Sequence, residues 1–142
     1  MRVLVTGASG LVGTALVPAL RSAGHSVKTV GRSRADHSWS DADLARGVAE
    51  ADVVVHLAGA NLFAKRWSAA FKRELVESRV TTTTKLAELV ARAPEKALVS
   101  ASAIGFYGAS EHTRMAEGYA RGAGFLAELC EAWERATEPA SK

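Results

Sequence analysis

Thr6-Gly7-Ala8-Ser9-Gly10-Leu11-Val12-Gly13 joins two segments of different periodicity. Ahead of it, Arg2-Val3-Leu4-Val5 is short, apolar and β-branched, the pattern of a buried strand. Behind it, Leu11, Val12, Ala15, Leu16, Ala19, Leu20 and Ala23 fall on one helical face. In a strand–turn–helix context the three glycines have distinct uses. Gly7 permits the tight turn, Gly10 lets backbone approach a pyrophosphate, and Gly13 lets the helix pack close to the sheet. The helix N-terminus then offers unpaired N–H groups and a positive dipole, with Ser9, Leu11 and Val12 as further backbone contacts. A glycine-rich turn with no ligand is the competing reading.

The rest of the chain alternates in the same way. The spacing predicts strands over 2–6, 26–30, 52–57 and 96–101, and helices over 11–23, 41–50, 67–92 and 122–137. A short edge element is expected near Trp39, which makes five strands in all. Strand–helix alternation of this kind implies an α/β domain with a parallel sheet covered on both faces. Gly24 is a natural stop for the first helix, and Pro18 inside it is expected to kink it. The pattern ends after the fifth strand and its following helix. This predicts that 1–142 is the N-terminal, cofactor-binding part of a longer protein, without the substrate-binding part.

Composition sets bounds. Of 142 residues, 48% are hydrophobic and 23% charged, enough for one domain with a real core. A net charge of +3 spread along the chain is too small an excess to argue for nucleic acid. Cys130 is alone, which excludes an intrachain disulfide and suits a reducing compartment. No run is long and apolar enough for a membrane span, and polar residues and glycines interrupt the N-terminal apolar run. The expectation is a soluble cytoplasmic protein that binds neither nucleic acid nor membrane, with no metal site.

Cofactor choice rests on the end of the second strand, Val27-Lys28-Thr29-Val30-Gly31-Arg32. A site for NAD usually carries Asp or Glu there, to accept the ribose hydroxyls. Here Arg32 follows the strand, and a guanidinium suits a 2′-phosphate. This favours NADP(H) over NAD(H), with Asp36 as the counter-candidate. Ala58 and Gly59, after the strand Val53-Val54-Val55-His56, would let the adenosine lie against backbone. His56 reads as a hydrogen-bonded core histidine more readily than as a catalytic group.

Three motifs now agree: TGASGLVG at 6–13, HLAGAN at 56–61 and Ser100-Ala-Ser-Ala-Ile-Gly-Phe-Tyr-Gly108. With Lys65-Arg66-Trp67, Ser78-Arg79 and the 124–133 stretch, the chain resembles the extended short-chain dehydrogenase/reductases. Within them it looks like an atypical branch labelled epimerase-family or predicted nucleoside-diphosphate-sugar epimerases. The resemblance implies a Rossmann-like doubly wound parallel sheet. It also implies oxidoreductase or epimerase chemistry on a small carbonyl or hydroxyl substrate, and a homodimer through helix 67–92. Ser102 matches the superfamily's serine, with Ser100 as alternative. The positions of the usual Tyr-x-x-x-Lys pair fall on Phe125 and Leu129, neither of which can exchange a proton. Tyr107 is the substitute acid, or else an aromatic anchor for its loop. Glu117 and His112 are weaker candidates, and Arg66 is a candidate contact for an anion. A binding protein without turnover is the alternative function.

Overall fold

The computed structural model describes residues 1–109 and 114–141. Four parallel strands, β1 (Arg2–Thr6), β2 (Ser26–Val30), β3 (Val53–His56) and β4 (Ala97–Ser100), form one sheet in the order β2-β1-β3-β4. Val3 aligns with Val27 on one side and Val53 on the other, so β1 is central. Its side chains alternate between two cores. Val3 and Val5 pack with Val17 of α1 (Leu11–Ser22) and with Val27. Leu4 and Val54 pack with Leu44 and Val48 of α2 (Asp41–Glu50), and with Leu86 and Val90 from further along the chain. Helices on both faces bury both sides of β1, which explains its unbroken apolar run. The sheet is therefore doubly wound, as its alternation implies.

Two expectations need correction. The element near Trp39 is no strand: the 31–40 segment contributes only a single bridge, Val30 with His37, so the described residues form four strands and not five. The segment's polar side chains bond to the flanking β2 and α2 instead: the Asp36 carboxylate accepts from Thr29. Asp43 Oδ1 pairs with His37 Nδ1 at 2.9 Å, and Asp43 Oδ2 accepts from the Ser38 N–H at 2.7 Å. The helix expected over 67–92 starts at Ala69, because the Ser68 hydroxyl caps it by accepting from the Phe71 N–H. It also divides into α3 (Ala69–Val76), a π turn (Glu77–Thr81) and α4 (Thr82–Ala91).

That division explains Thr81-Thr-Thr-Thr84. Thr82 and Thr84 donate back to the carbonyls of Ser78 and Val80, at 2.7 and 2.9 Å. Such back-bonding competes with the helical ladder where the helix widens. Thr83 faces inward, fully buried, and accepts from the indole N–H of Trp133 at 2.9 Å. Trp133 lies on α5 (Phe125–Arg135), which this bond docks against α4. α1 runs unbroken through Pro18 and ends at Ser22, just before Gly24, where the His25 and Gly24 N–H groups return to the carbonyls of Leu20 and Arg21.

Replacing Thr83 by Val leaves the buried indole N–H without an acceptor, and urea unfolding should show a loss of about 1–3 kcal/mol. The double variant Thr83→Val/Trp133→Phe should lose less than the sum of the two single variants. Strict additivity would mean that the hydrogen bond carries no coupling.

Candidate functional site

The C-terminal ends of all four parallel strands converge on one edge, where the turns after each strand meet. The first turn is a backbone cradle. Gly7 takes φ +71°, and a Cβ there would lie 2.6 Å from the Leu57 carbonyl carbon. A Cβ on Gly13 would lie 2.3 Å from the Gly7 carbonyl oxygen. Neither position admits another residue without moving backbone. Gly10 is the N-cap of α1 and has no side chain to cap it, and no acidic residue stands in the first turn. The N–H groups of Leu11, Val12 and Gly13 have no intrahelical acceptor, and the Leu11 side chain is 93% exposed. The helix thus presents free donors and dipole outward, which suits an anion.

Between this turn, α1 and the segment after β2 lies an open cleft of about 540 Å³, lined by Ser9, Val17, Arg21, Thr29, Arg34 and Asp36 among others. Arg32 is exposed and does not line it. Asp36 is tied to β2: its Oδ2 accepts from the Thr29 N–H at 2.8 Å and the Thr29 hydroxyl at 3.0 Å. Burial opposes ionisation of Asp36, but these bonds and the nearby Arg21 charge outweigh it and hold the carboxyl below its ordinary value.

The turn after β3 is braced from beneath. His56 is fully buried, and its Nδ1 lies 2.6 Å from the Thr6 hydroxyl. That hydroxyl also accepts from the Ala58 N–H at 3.2 Å, so Thr6 donates to an unprotonated Nδ1. On the other side, Nε2 faces the Thr82 hydroxyl at 3.4 Å, which itself donates to the Ser78 carbonyl. The chain of bonds is satisfied only by neutral histidine, and burial lowers its pKa to about 4. His56 is a structural residue that fixes Ala58, as a core histidine should. Ala60 donates to the Ser78 hydroxyl at 3.1 Å and accepts from Arg79 Nη2 at 3.0 Å.

Arg79 was not identified from sequence as a site residue. Its guanidinium lies directly under Gly59, its charge 5.3 Å from the Trp133 ring, and no carboxylate pairs with it among the described residues. Burial lowers its pKa. The π turn is what aims it, and a π turn leaves no mark in hydrophobic periodicity. Near it, Cys130 is buried, which raises its thiol pKa.

After β4, Ser102 is exposed and donates to Glu134 Oε1 on α5. Tyr107 ends a 3₁₀ turn (Ile104–Tyr107) and stacks edge-on with Phe106 at 5.2 Å. Ser102 and Tyr107 thus share one segment, but among the described residues no hydrogen bond joins them. Phe125 and Leu129 belong to an apolar cluster with Phe71 and Leu75, and Lys72 Nζ sits 5.1 Å from the Phe125 ring centroid. Lys65 is paired with Glu74 at 2.6 Å, which leaves Arg66 as the cation of that pair without a partner among the described residues. Glu117 is exposed, and His112 lies outside the described residues.

A doubly wound parallel sheet with a glycine cradle at the first turn defines a dinucleotide-binding fold. The chain belongs to the NAD dependent epimerase/dehydratase family, whose model matches residues 3–138. It is 40% identical over 147 residues to the epimerase family protein Mb2239 of Mycobacterium bovis, covering 99% of this chain and 49% of the relative. The structure of human epimerase family protein SDR39U1 with NADPH superposes with a TM-score of 0.84 at 32% identity, covering 96% of this chain and 48% of that one. MoeE5 in complex with UDP-glucose and NAD gives 0.82 at 26% identity, covering 96% and 48%. The chain spans about half the length of these relatives. No helix among the described residues is long and apolar enough to cross a membrane.

Because His56 has its pKa depressed in the folded state, the unfolded chain binds the extra proton first. The stability this provides is complete above the ordinary histidine pKa of 6.5 and is lost as pH falls from there towards about 4. Urea unfolding followed across that window should show a loss on the order of 3 kcal/mol. His56→Gln should be less stable at pH 7 and should show a flatter dependence over the same range.

Proposed function

We propose that this chain binds NADP(H) and forms the cofactor half of an oxidoreductase or epimerase acting on a nucleotide sugar or another small carbonyl or hydroxyl substrate. The observation that carries this is the cradle. Gly7 and Gly13 leave room only for backbone, and the uncapped start of α1 leaves its donors for a ligand. In this reading Gly7, Ser9, Gly10, Leu11, Val12 and Gly13 hold the pyrophosphate, and Ala58 and Gly59 lie against the adenosine. Preference for the phosphorylated cofactor is supported by the basic segment after β2, where Arg32 and Arg34 replace an acidic residue at the strand end. The NADPH held by the human relative is consistent with it, whereas MoeE5 holds NAD.

When bound, the cofactor would supply or accept hydride. The chain's own residues would hold and orient the reacting group. Ser102 is exposed at the end of β4, where its hydroxyl is free to exchange Glu134 for a substrate oxygen. Tyr107 is the nearest phenol in sequence for proton exchange. A second reading, cofactor binding without turnover, is favoured by the apolar cluster that occupies Phe125 and Leu129. A homodimer through the α3–α4 rod belongs to the same proposal, and sedimentation of the purified chain would test it.

Titration with NADPH and NADH, followed by nicotinamide fluorescence, should show tighter binding of NADPH. Gly13→Val should abolish binding of both, because its Cβ meets the Gly7 carbonyl oxygen. Equal binding of both cofactors would remove the preference. No binding by the wild-type chain would overturn the reading altogether.

With a carbonyl substrate in hand, Ser102→Ala should lower kcat by about a hundredfold or more, within the range for losing a positioned donor. Tyr107→Phe should do the same if the phenol is the acid. Unchanged turnover in both variants would leave the binding-only reading.

A further inference from the structure

Ser78 and Arg79 are consecutive residues of the π turn, and both hold the same residue of the segment after β3. The Ser78 hydroxyl accepts from the Ala60 N–H at 3.1 Å, and Arg79 Nη2 donates to the Ala60 carbonyl at 3.0 Å. Two adjacent side chains thus take both backbone polar groups of Ala60. They do so from a π turn, an irregularity that concentrates at functional sites.

The grip extends to Gly59. A Cβ there would lie 3.0 Å from Arg79 Cζ, 3.2 Å from Nη2 and 3.3 Å from Nε. The central carbon is the nearest of the three, so Gly59 rests over the flat face of the guanidinium and not against its edge. The edge N–H groups go to carbonyls instead, Nη2 to Ala60 and Nη1 to Leu75 at 3.4 Å. Gly59 therefore has to be small because Arg79 lies against it. Arg79 Cζ is also 5.3 Å from the ring of Trp133, whose indole N–H Thr83 accepts. The guanidinium thereby connects the segment after β3 to α5.

An ordinary packing role does not explain an arginine here. Arg79 is half-buried, and among the described residues no carboxylate pairs with it. Placing an uncompensated cation in such a site costs free energy, and burial lowers its pKa accordingly. An apolar side chain would support Gly59 at lower cost. What it could not do is lie flat under one residue and hydrogen-bond the next.

We infer that Ser78 and Arg79 are positioning residues for the cofactor, which set the height of Gly59 and Ala60 at the sheet edge where the adenosine would lie. The inference rests on the NADP(H) reading above and deepens it. Neither side chain is assigned a contact with the cofactor; both act through the backbone they hold.

The test uses the full chain, with NADPH binding followed by nicotinamide fluorescence and urea unfolding recorded for each variant. Arg79→Met and Arg79→Lys should each weaken NADPH by about tenfold or more. Lysine keeps the charge but offers no planar group to lie under Gly59 while reaching the Ala60 carbonyl. Val90→Ala, in the core shared by α2 and α4, is the stability control and should bind NADPH as the wild type does. At saturating NADPH, Arg79→Met should keep the ligand-induced amide shifts at Ser9 to Val12 and lose those at Ala58 and Gly59. If Arg79→Met does not fold, Ser78→Ala decides: it removes one hydroxyl and should weaken NADPH by about threefold or more, and unchanged binding would count against the clamp. If the wild-type chain does not bind NADPH, the NADP(H) reading fails and takes this assignment with it. If the wild type binds and either Arg79 variant binds equally well, that reading stands and the positioning role is wrong. Affinity lost in Val90→Ala in the same proportion to stability as in Arg79→Met would reduce Arg79 to packing and would also overturn it.

Discussion

Backbone meets backbone where β1 turns into α1, and the functional edge is organised around that contact. The α1 backbone at Gly13 lies so close to the Gly7 carbonyl that no side chain fits between them, and Gly7 itself lies against the backbone of Leu57. One turn therefore ties together the central strand, the first helix and the segment after β3. The approach is possible only because three parallel strands align their C-terminal ends, and it holds the start of α1 above the sheet edge with its donors unpaired. The same geometry excludes side chains and admits an anion.

A second, polar brace lies beneath it. Thr6, His56 and Thr82 connect β1, β3 and the start of α4 through hydrogen bonds whose donors and acceptors match only one tautomer of neutral histidine. Buried polar chains of this kind are costly if any member lacks a partner. Here every member is satisfied, and the result is to fix Ala58 and to face Arg79 towards Gly59. The cluster of Phe71, Leu75 and Leu129, with Phe125 packed against it, joins α3 to α5 beside this brace.

How much of this could be read from the chain depends on the scale of the feature. The glycine turn was legible because each glycine answers a steric demand, and the two cores were legible because Val3, Leu4 and Val5 alternate between them. His56 was legible as a core residue from its apolar neighbours. The π turn was not, because residues 69–91 keep a helical pattern through it and only the local hydrogen bonds shift. Arg79 was overlooked for the same reason: its direction is set by that turn. The polar segment 31–40 suggested a strand because it lies between two of them, yet it makes a single bridge to β2 and its Asp36 and His37 side chains bond to Thr29 and Asp43 on either side. The left-handed backbone of Arg34, at φ +50°, has no sequence signal, since glycine or asparagine would be expected there.

The central claim is that the uncapped start of α1 receives the phosphates of a dinucleotide. Backbone amide shifts recorded by heteronuclear NMR during addition of NADPH address it most directly. The account requires the largest changes at the amides of Ser9, Gly10, Leu11 and Val12, with smaller ones at Ala58 and Gly59. Saturable shifts confined to other parts of the chain, with those amides unmoved, would contradict it.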